Sequence, residues 1–202
     1  MATIVAIGGG ELRDLETLPI DKAIVKLAKK KRPKALFIPT ASNDSLGYWQ
    51  VFQNVYGKKL GCETDVLFLL SQKQTKQTIR EKIAAADIIY VGGGNTLRML
   101  KAWRKQGVDK LLRQAHQQGV VLAGLSAGAI CWFRYGSSDS RKFMQGKDQD
   151  VFMRVQGLNL VPCTISPHHI RERKLRNSGL VKIMDRTAGV ALAVDDNAAI
   201  LI

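Results

Sequence analysis

Val120-Val121-Leu122-Ala123-Gly124-Leu125-Ser126-Ala127-Gly128-Ala129 decides how the rest of this 202-residue chain is read. An apolar, β-branched run ends in glycine, a serine stands between two glycines, and Ile130-Cys131-Trp132-Phe133 follows in helix-compatible order. A buried strand that turns sharply into a helix needs small residues beside the turn, and the turn lifts the serine hydroxyl clear of the sheet. The stretch predicts a nucleophile elbow, and with it a serine hydrolase. Gly-x-Ser-x-Gly also arises in ordinary turns, so the reading depends on whether the chain supplies a base, an orienting acid and oxyanion donors.

On either side lie Thr3-Ile4-Val5-Ala6-Ile7, Ala35-Leu36-Phe37-Ile38, Val66-Leu67-Phe68-Leu69 and Ile88-Ile89-Tyr90-Val91, each short and continuously apolar. Between them the period changes. Ile79 and Ile83 fall four apart, while Leu97, Leu100 and Trp103 fall three apart, each set making a helical stripe. Strands apolar on both faces, alternating with helices, specify an α/β three-layer sandwich with a mostly parallel sheet. Downstream, residues 135–157 are rich in Ser, Asp, Gly and Lys and read as a long functional loop. Thr164-Ile165 reads as a strand, the segment after Pro167 as a basic helix, and residues 190–202 as a hairpin turning at Asp195-Asp196-Asn197.

The hydrophobic content of 46% is that of a globular protein, and no Pro- or Ser-rich linker divides residues 1–202, so a single domain is expected. No run of about 18 apolar residues suggests a transmembrane helix, and Met1-Ala2-Thr3-Ile4 lacks the charged start of a signal peptide. A cytoplasmic protein, monomer or homodimer, is the expectation. Cys62, Cys131 and Cys163 stand far apart without a Cys-x-x-Cys pair, so neither a zinc site nor a disulfide framework is expected, and no cofactor. The net charge of +14 favours anions. Its densest cluster, Lys29-Lys30-Lys31-Arg32 with Lys34, reads as the end of a helix, where cations meet the carboxyl-terminal dipole. With 6% aromatics and no nucleic-acid motif, a nucleic-acid partner is disfavoured, and a non-catalytic anion- or nucleic-acid-binding protein on the same fold is the alternative from another class.

Two triple glycines follow strands, Gly8-Gly9-Gly10 and Gly92-Gly93-Gly94. A dinucleotide fingerprint would need glycine where Arg13 and Leu97 stand, and no Walker lysine follows either turn. What remains is close backbone approach at the carboxyl edge of the sheet. There a backbone N–H from a neighbouring loop, with the N–H after the nucleophile, makes an oxyanion hole. Gly94 and Ala127 are the natural donors. Of three histidines, His116 lies on a polar helix and reads as a surface residue, whereas His168 and His169 follow Ser166-Pro167 at the same sheet edge as the elbow. One of the pair is the expected base. For the acid, Asp139 in Gly136-Ser137-Ser138-Asp139-Ser140 leaves the elbow helix, with Glu172, Asp148 and Asp150 as rivals.

Tyr90-Val91-Gly92-Gly93-Gly94-Asn95-Thr96, the elbow block and Ser166-Pro167-His168, taken in order, resemble the signature blocks of the peptidase E and cyanophycinase family of serine peptidases. Ile7-Gly8-Gly9-Gly10-Glu11 is also similar to the cyanophycinase branch. The resemblance implies a class I glutamine amidotransferase-like fold, rather than that of the α/β-hydrolases, and a triad of Ser126, His168 and Asp139 with Gly94 and Ala127 as oxyanion donors. It implies a small peptide substrate carrying an aspartyl group: a dipeptide with amino-terminal aspartate, or alternatively a β-aspartyl linkage. Such a substrate needs polar and cationic contacts, for which Asn95, Arg134, Arg171 and Arg173 are candidates.

Overall fold

Alternate residues of a strand point to opposite faces, and in the central strands both sets are apolar. Strands β1 (Thr3–Ile7), β2 (Lys34–Ile38), β4 (Ile88–Val91) and β5 (Val121–Leu125) therefore sink into the middle of the molecule. Val5, Ile7, Phe37, Tyr90 and Ala123 meet helices α1 (Leu18–Leu27) and α2 (Leu46–Phe52) on one face. Ile4, Ala6, Leu36, Ile89 and Leu122 meet α3 (Lys76–Ala85), α4 (Thr96–Gln106) and α5 (Val108–Gln117) on the other. The computed structural model describes residues 3–140, 152–170 and 173–202, without the side chains of 173–175. With β3 (Glu63–Val66) and β10 (Ala199–Leu201), these strands form a six-stranded sheet ordered β10-β1-β5-β4-β2-β3, parallel except for β10. The α/β sandwich expected from the sequence is present.

The order of this sheet places the site. The chain runs outward from β1 to β3, returns through β4, and lays β5 between β1 and β4. The carboxyl ends of three neighbouring strands thus release Gly8, Gly92 and Ser126 side by side, at the edge where open α/β sheets bind ligands. After the short helix α6 (Ala127–Ile130), a second sheet of order β7-β6-β8-β9 packs against the same core. It comprises β6 (Phe133–Ser138), β7 (Met153–Gln156), β8 (Val161–Ser166) and β9 (Ala191–Ala193). Helix α7 (Arg173–Met184) lies between β8 and β9 in sequence.

Four local expectations are corrected. The long loop at 135–157 is a paired strand at each end, β6 against β7, with residues 141–151 outside the described part. Small hydroxyl residues hid the strand: Ser138 and Ser140 share a hydrogen bond of 2.8 Å, which lets polar residues be buried. The apolar run Val66 to Leu69 is not all strand: β3 ends at Val66, the Leu67 N–H makes one further bond to the Phe37 carbonyl at 2.9 Å, and the Asp44 carboxylate then accepts the N–H groups of Leu70 and Ser71 at 2.6 and 2.9 Å. The basic cluster lies beyond α1, with Lys30 reaching Asp87 at 2.7 Å. The final hairpin does not exist: β9 pairs in parallel with β8, and β10 pairs antiparallel with β1 in the other sheet. Two apolar runs around a short turn look alike whether they pair with each other or with different partners.

One buried charge stands within the α1–α2 layer. Asp21 is wholly enclosed, accepting hydrogen bonds from Tyr56 at 2.7 Å and Thr17 at 2.8 Å. Burial dominates these bonds and raises its carboxyl to about 6. A folded-state value above that of the unfolded chain favours folding fully while Asp21 is protonated in both states. That advantage is lost as pH rises from about 4 through about 6. Asp21→Asn is therefore expected to gain stability relative to wild type across this interval, by on the order of 1–3 kcal/mol, as read by urea unfolding at a series of pH values.

Candidate active site

Ser126 follows directly on β5, and its backbone takes φ 55° and ψ −109°, a region that non-glycine residues rarely enter. Its N–H bonds to the Ile7 carbonyl at 3.0 Å, which continues the β1–β5 ladder, and its own carbonyl accepts from Ala129 and Ile130 at 3.0 Å. The turn is tight because its neighbours lack side chains. A Cβ on Gly124 would overlap the Gly128 carbonyl, and one on Gly128 would overlap the Val91 carbonyl of β4. The spacing Gly-x-Ser-x-Gly thus records where three backbone segments touch. Cys131, buried just behind, donates to the Gly128 carbonyl at 3.0 Å, and burial keeps its thiol protonated.

Ser126 and His168 line one cleft of about 410 Å³, together with Gly93 and Gly94 from the β4 loop, residues 10–13 from the β1 loop, and Ser45 and Tyr48 at the start of α2. Burial pushes the Tyr48 hydroxyl well above the usual phenol value despite a hydrogen bond with the Gly93 backbone, so it stays neutral. A Cβ on Gly93 would lie 3.5 Å from that of Ser126, so the β4 loop passes beside the serine. Ala127 opens α6, where first-turn N–H groups have no partner within the helix.

His168 follows β8 with φ 52°, and its N–H bonds to the Gly8 carbonyl at 3.2 Å. Its Nδ1 is hydrogen-bonded to a carboxylate oxygen of Asp196. Asp139, expected from the sequence to orient the base, stands instead just past β6, outside the cleft, and has no hydrogen bond to His168 among the described residues. The place of Asp196 follows from the missing hairpin. Because β9 runs parallel beside β8, the turn 195–197 leaves the same sheet edge as His168. Three bonds clasp it there: Asn197 N–H to the Gly9 carbonyl at 3.0 Å, Gly8 N–H to the Ala198 carbonyl at 3.0 Å, and Ile170 N–H to the Asp195 carboxylate at 2.8 Å. Gly9 is the floor of the pair, since a Cβ there would overlap both Asp196 and the His168 ring.

His169 does not line the cleft; its N–H bonds to the Val194 carbonyl at 3.3 Å, and its buried Nδ1 has no hydrogen-bond partner among the described residues. His116, on α5, is half-buried, and burial lowers its pKa. Of the substrate candidates, Asn95 is buried as the cap of α4, accepting from the Arg98 N–H at 2.9 Å, and Arg134 lies on β6 beside Tyr135. Neither lines the cleft. Arg171, with the rival acids Glu172, Asp148 and Asp150, falls outside the described residues, as does the side chain of Arg173. No three His, Cys, Asp or Glu side chains converge as metal ligands among the described residues, and no described helix is long and apolar enough to cross a membrane. The arrangement suits nucleophilic attack by a hydroxyl, with an imidazole to take its proton and a carboxylate to hold that imidazole.

Comparison with known proteins agrees with this chemistry. The pattern of peptidase family S51 matches residues 4–202. A Bacillus subtilis protein described as an uncharacterized peptidase is 34% identical over 201 residues, covering 99% of this chain and 83% of its own length. A Pasteurella multocida protein named peptidase E is 30% identical over 60% of this chain and 49% of its own length. The crystal structure of a putative peptidase E protein from Listeria monocytogenes superimposes with a TM-score of 0.70 at 19% identity, covering 100% of this chain and 94% of that one.

A methyl group at the elbow has nowhere to go. Gly128→Ala is expected to destabilise the fold by about 1–3 kcal/mol or more, measured by thermal denaturation, because the Val91 carbonyl is backbone and cannot yield as a side chain would.

Proposed function

Because the chain belongs to peptidase family S51, we propose that it is a cytoplasmic serine exopeptidase of the peptidase E kind, releasing an amino-terminal aspartyl residue from short peptides. The observation that carries the catalytic part is the His168–Asp196 pair standing over the cleft that Ser126 lines. With Nδ1 committed to the carboxylate, Nε2 is the nitrogen left to face the serine hydroxyl. His168 takes the Ser126 proton as the hydroxyl oxygen attacks the peptide carbonyl. Asp196 stabilises the imidazolium that forms, and the proton then passes to the leaving amine. Water, activated by the same imidazole, hydrolyses the seryl ester.

The oxyanion of each tetrahedral intermediate is assigned to the N–H groups of Gly94 and Ala127, where one donor contributes about 3–4 kcal/mol in comparable enzymes. The strained turn suits this role, since it holds the hydroxyl and the following N–H in fixed relation. The aspartyl preference rests on the relative named peptidase E and on the family resemblance of the three sequence blocks.

Ser126→Ala is expected to abolish hydrolysis of Asp-X dipeptides with the circular dichroism spectrum unchanged. Asp196→Ala is expected to lower kcat roughly 1,000- to 10,000-fold. Asp139→Ala, by contrast, is expected to stay within about two-fold of wild type. Equal losses in the two aspartate variants would return Asp139 to the triad. Comparing α-Asp-X with β-Asp-Arg on wild type separates the dipeptidase from its β-aspartyl alternative.

A further inference from the structure

One wall of the cleft is the segment Gly10-Glu11-Leu12-Arg13, which leads away from β1. Among the described residues that line the cleft, Arg13 is the one lysine or arginine and Glu11 the one carboxylate. Leu12 is 2% exposed and anchors the segment in the core, so its two neighbours flank it as a pair of opposite charges. The wall is closed on itself. The N–H groups of Asp14 and Glu16 both bond to the Glu11 carbonyl at 3.2 Å, that of Leu15 bonds to the Leu12 carbonyl at 3.2 Å, and the Glu16 carboxylate accepts from the Glu11 N–H at 2.8 Å. Among the described residues, Arg13 makes no ion pair or hydrogen bond through its side chain, so its guanidinium is available to a ligand.

We propose that this wall reads the amino-terminal residue of the substrate, Arg13 taking the carboxylate of an acidic side chain and Glu11 the free α-ammonium. The inference rests on the peptidase reading above and supplies its specificity. The carbonyl carbon attacked by Ser126 is bonded to the α-carbon, from which the amine and the side chain both branch. Both charges of an acidic amino-terminal residue therefore lie within a few bonds of the carbonyl that Ser126 attacks, and the two charged side chains of the wall line the same cleft as that serine. A guanidinium left unpaired by a neutral isostere rejects it more strongly than a missing apolar contact would. An acylated amine likewise leaves Glu11 without its cation, which confines the enzyme to free amino termini.

The rival role for Arg13 is to hold the terminal carboxylate of the leaving residue, so the decisive substrates lack one. With Asp-, Asn- and N-acetyl-Asp-p-nitroanilide, wild type is expected to prefer Asp over Asn in kcat/KM by roughly 10- to 100-fold. Arg13→Ala should bring that ratio close to one by losing more on Asp, and Glu11→Gln should narrow the preference for the free amine over the acetylated one. Equal losses on Asp and Asn in Arg13→Ala, or a loss confined to dipeptides with a free terminal carboxylate, would overturn the assignment. Failure of the hydrolase reading would show separately, as wild-type protein whose Ser126 is not labelled by a neutral fluorophosphonate.

Discussion

The carboxyl edge of this molecule depends on backbone meeting backbone without a side chain between. Ser126 is held in a conformation that costs on the order of 1–3 kcal/mol, and an isolated turn would relax out of it. It persists because α6 folds back onto β5 at Gly124 and against β4 at Gly128, positions where a single carbon would force the segments apart. The ladder bond from the Ser126 N–H to the Ile7 carbonyl fixes the other side. The serine is thus clamped between its two neighbouring strands.

A second contact of the same kind joins the two sheets. Gly9 comes so close to the 195–197 turn that Asp196 and the His168 ring fill the space its side chain would need. The imidazole follows strand β8 of the smaller sheet, the carboxylate lies in the crossing between sheets, and the serine follows β5 of the larger sheet. The relative placement of the two sheets therefore sets how these three side chains sit. Burial of Phe133, Val155 and Ile165 in the same apolar cluster as Ile89 and Leu122 maintains it.

The parts of this architecture written in local pattern were legible. Apolar runs gave the parallel strands, and Gly-x-Ser-x-Gly gave the elbow, because both are consequences of burial and crowding that act over a few residues. The preceding Pro167 and the sheet edge pointed to His168 or His169, and the family resemblance to His168. Asp196, whose carboxylate meets His168, was not singled out although it lay in plain view at Asp195-Asp196-Asn197. A turn between two apolar runs carries no mark of whether they pair together, and only the long-range partners of β9 and β10 decide it. The signal was present at the other end of the chain, in glycines whose missing side chains find no use in the β1 loop alone. Arg13 was used at first only to reject a nucleotide fingerprint. Its place in the cleft goes with the closed turn at residues 11–16, held by hydrogen bonds between residues three to five apart that no apolar periodicity marks.

A stretch that carries the chain from one sheet to another is commonly where natural variation inserts and deletes residues, since little packing opposes it. The 195–197 turn lacks that freedom. Each residue advances an extended backbone by about 3.3 Å, more than the tolerance of a hydrogen bond. One residue too many would carry Asp196 past the imidazole, and one too few would leave it short. The constraint falls on the number of residues in this crossing rather than on the bulk of the side chains around it, so the reach of the chain from β9 to β10 sets where the carboxylate meets the imidazole.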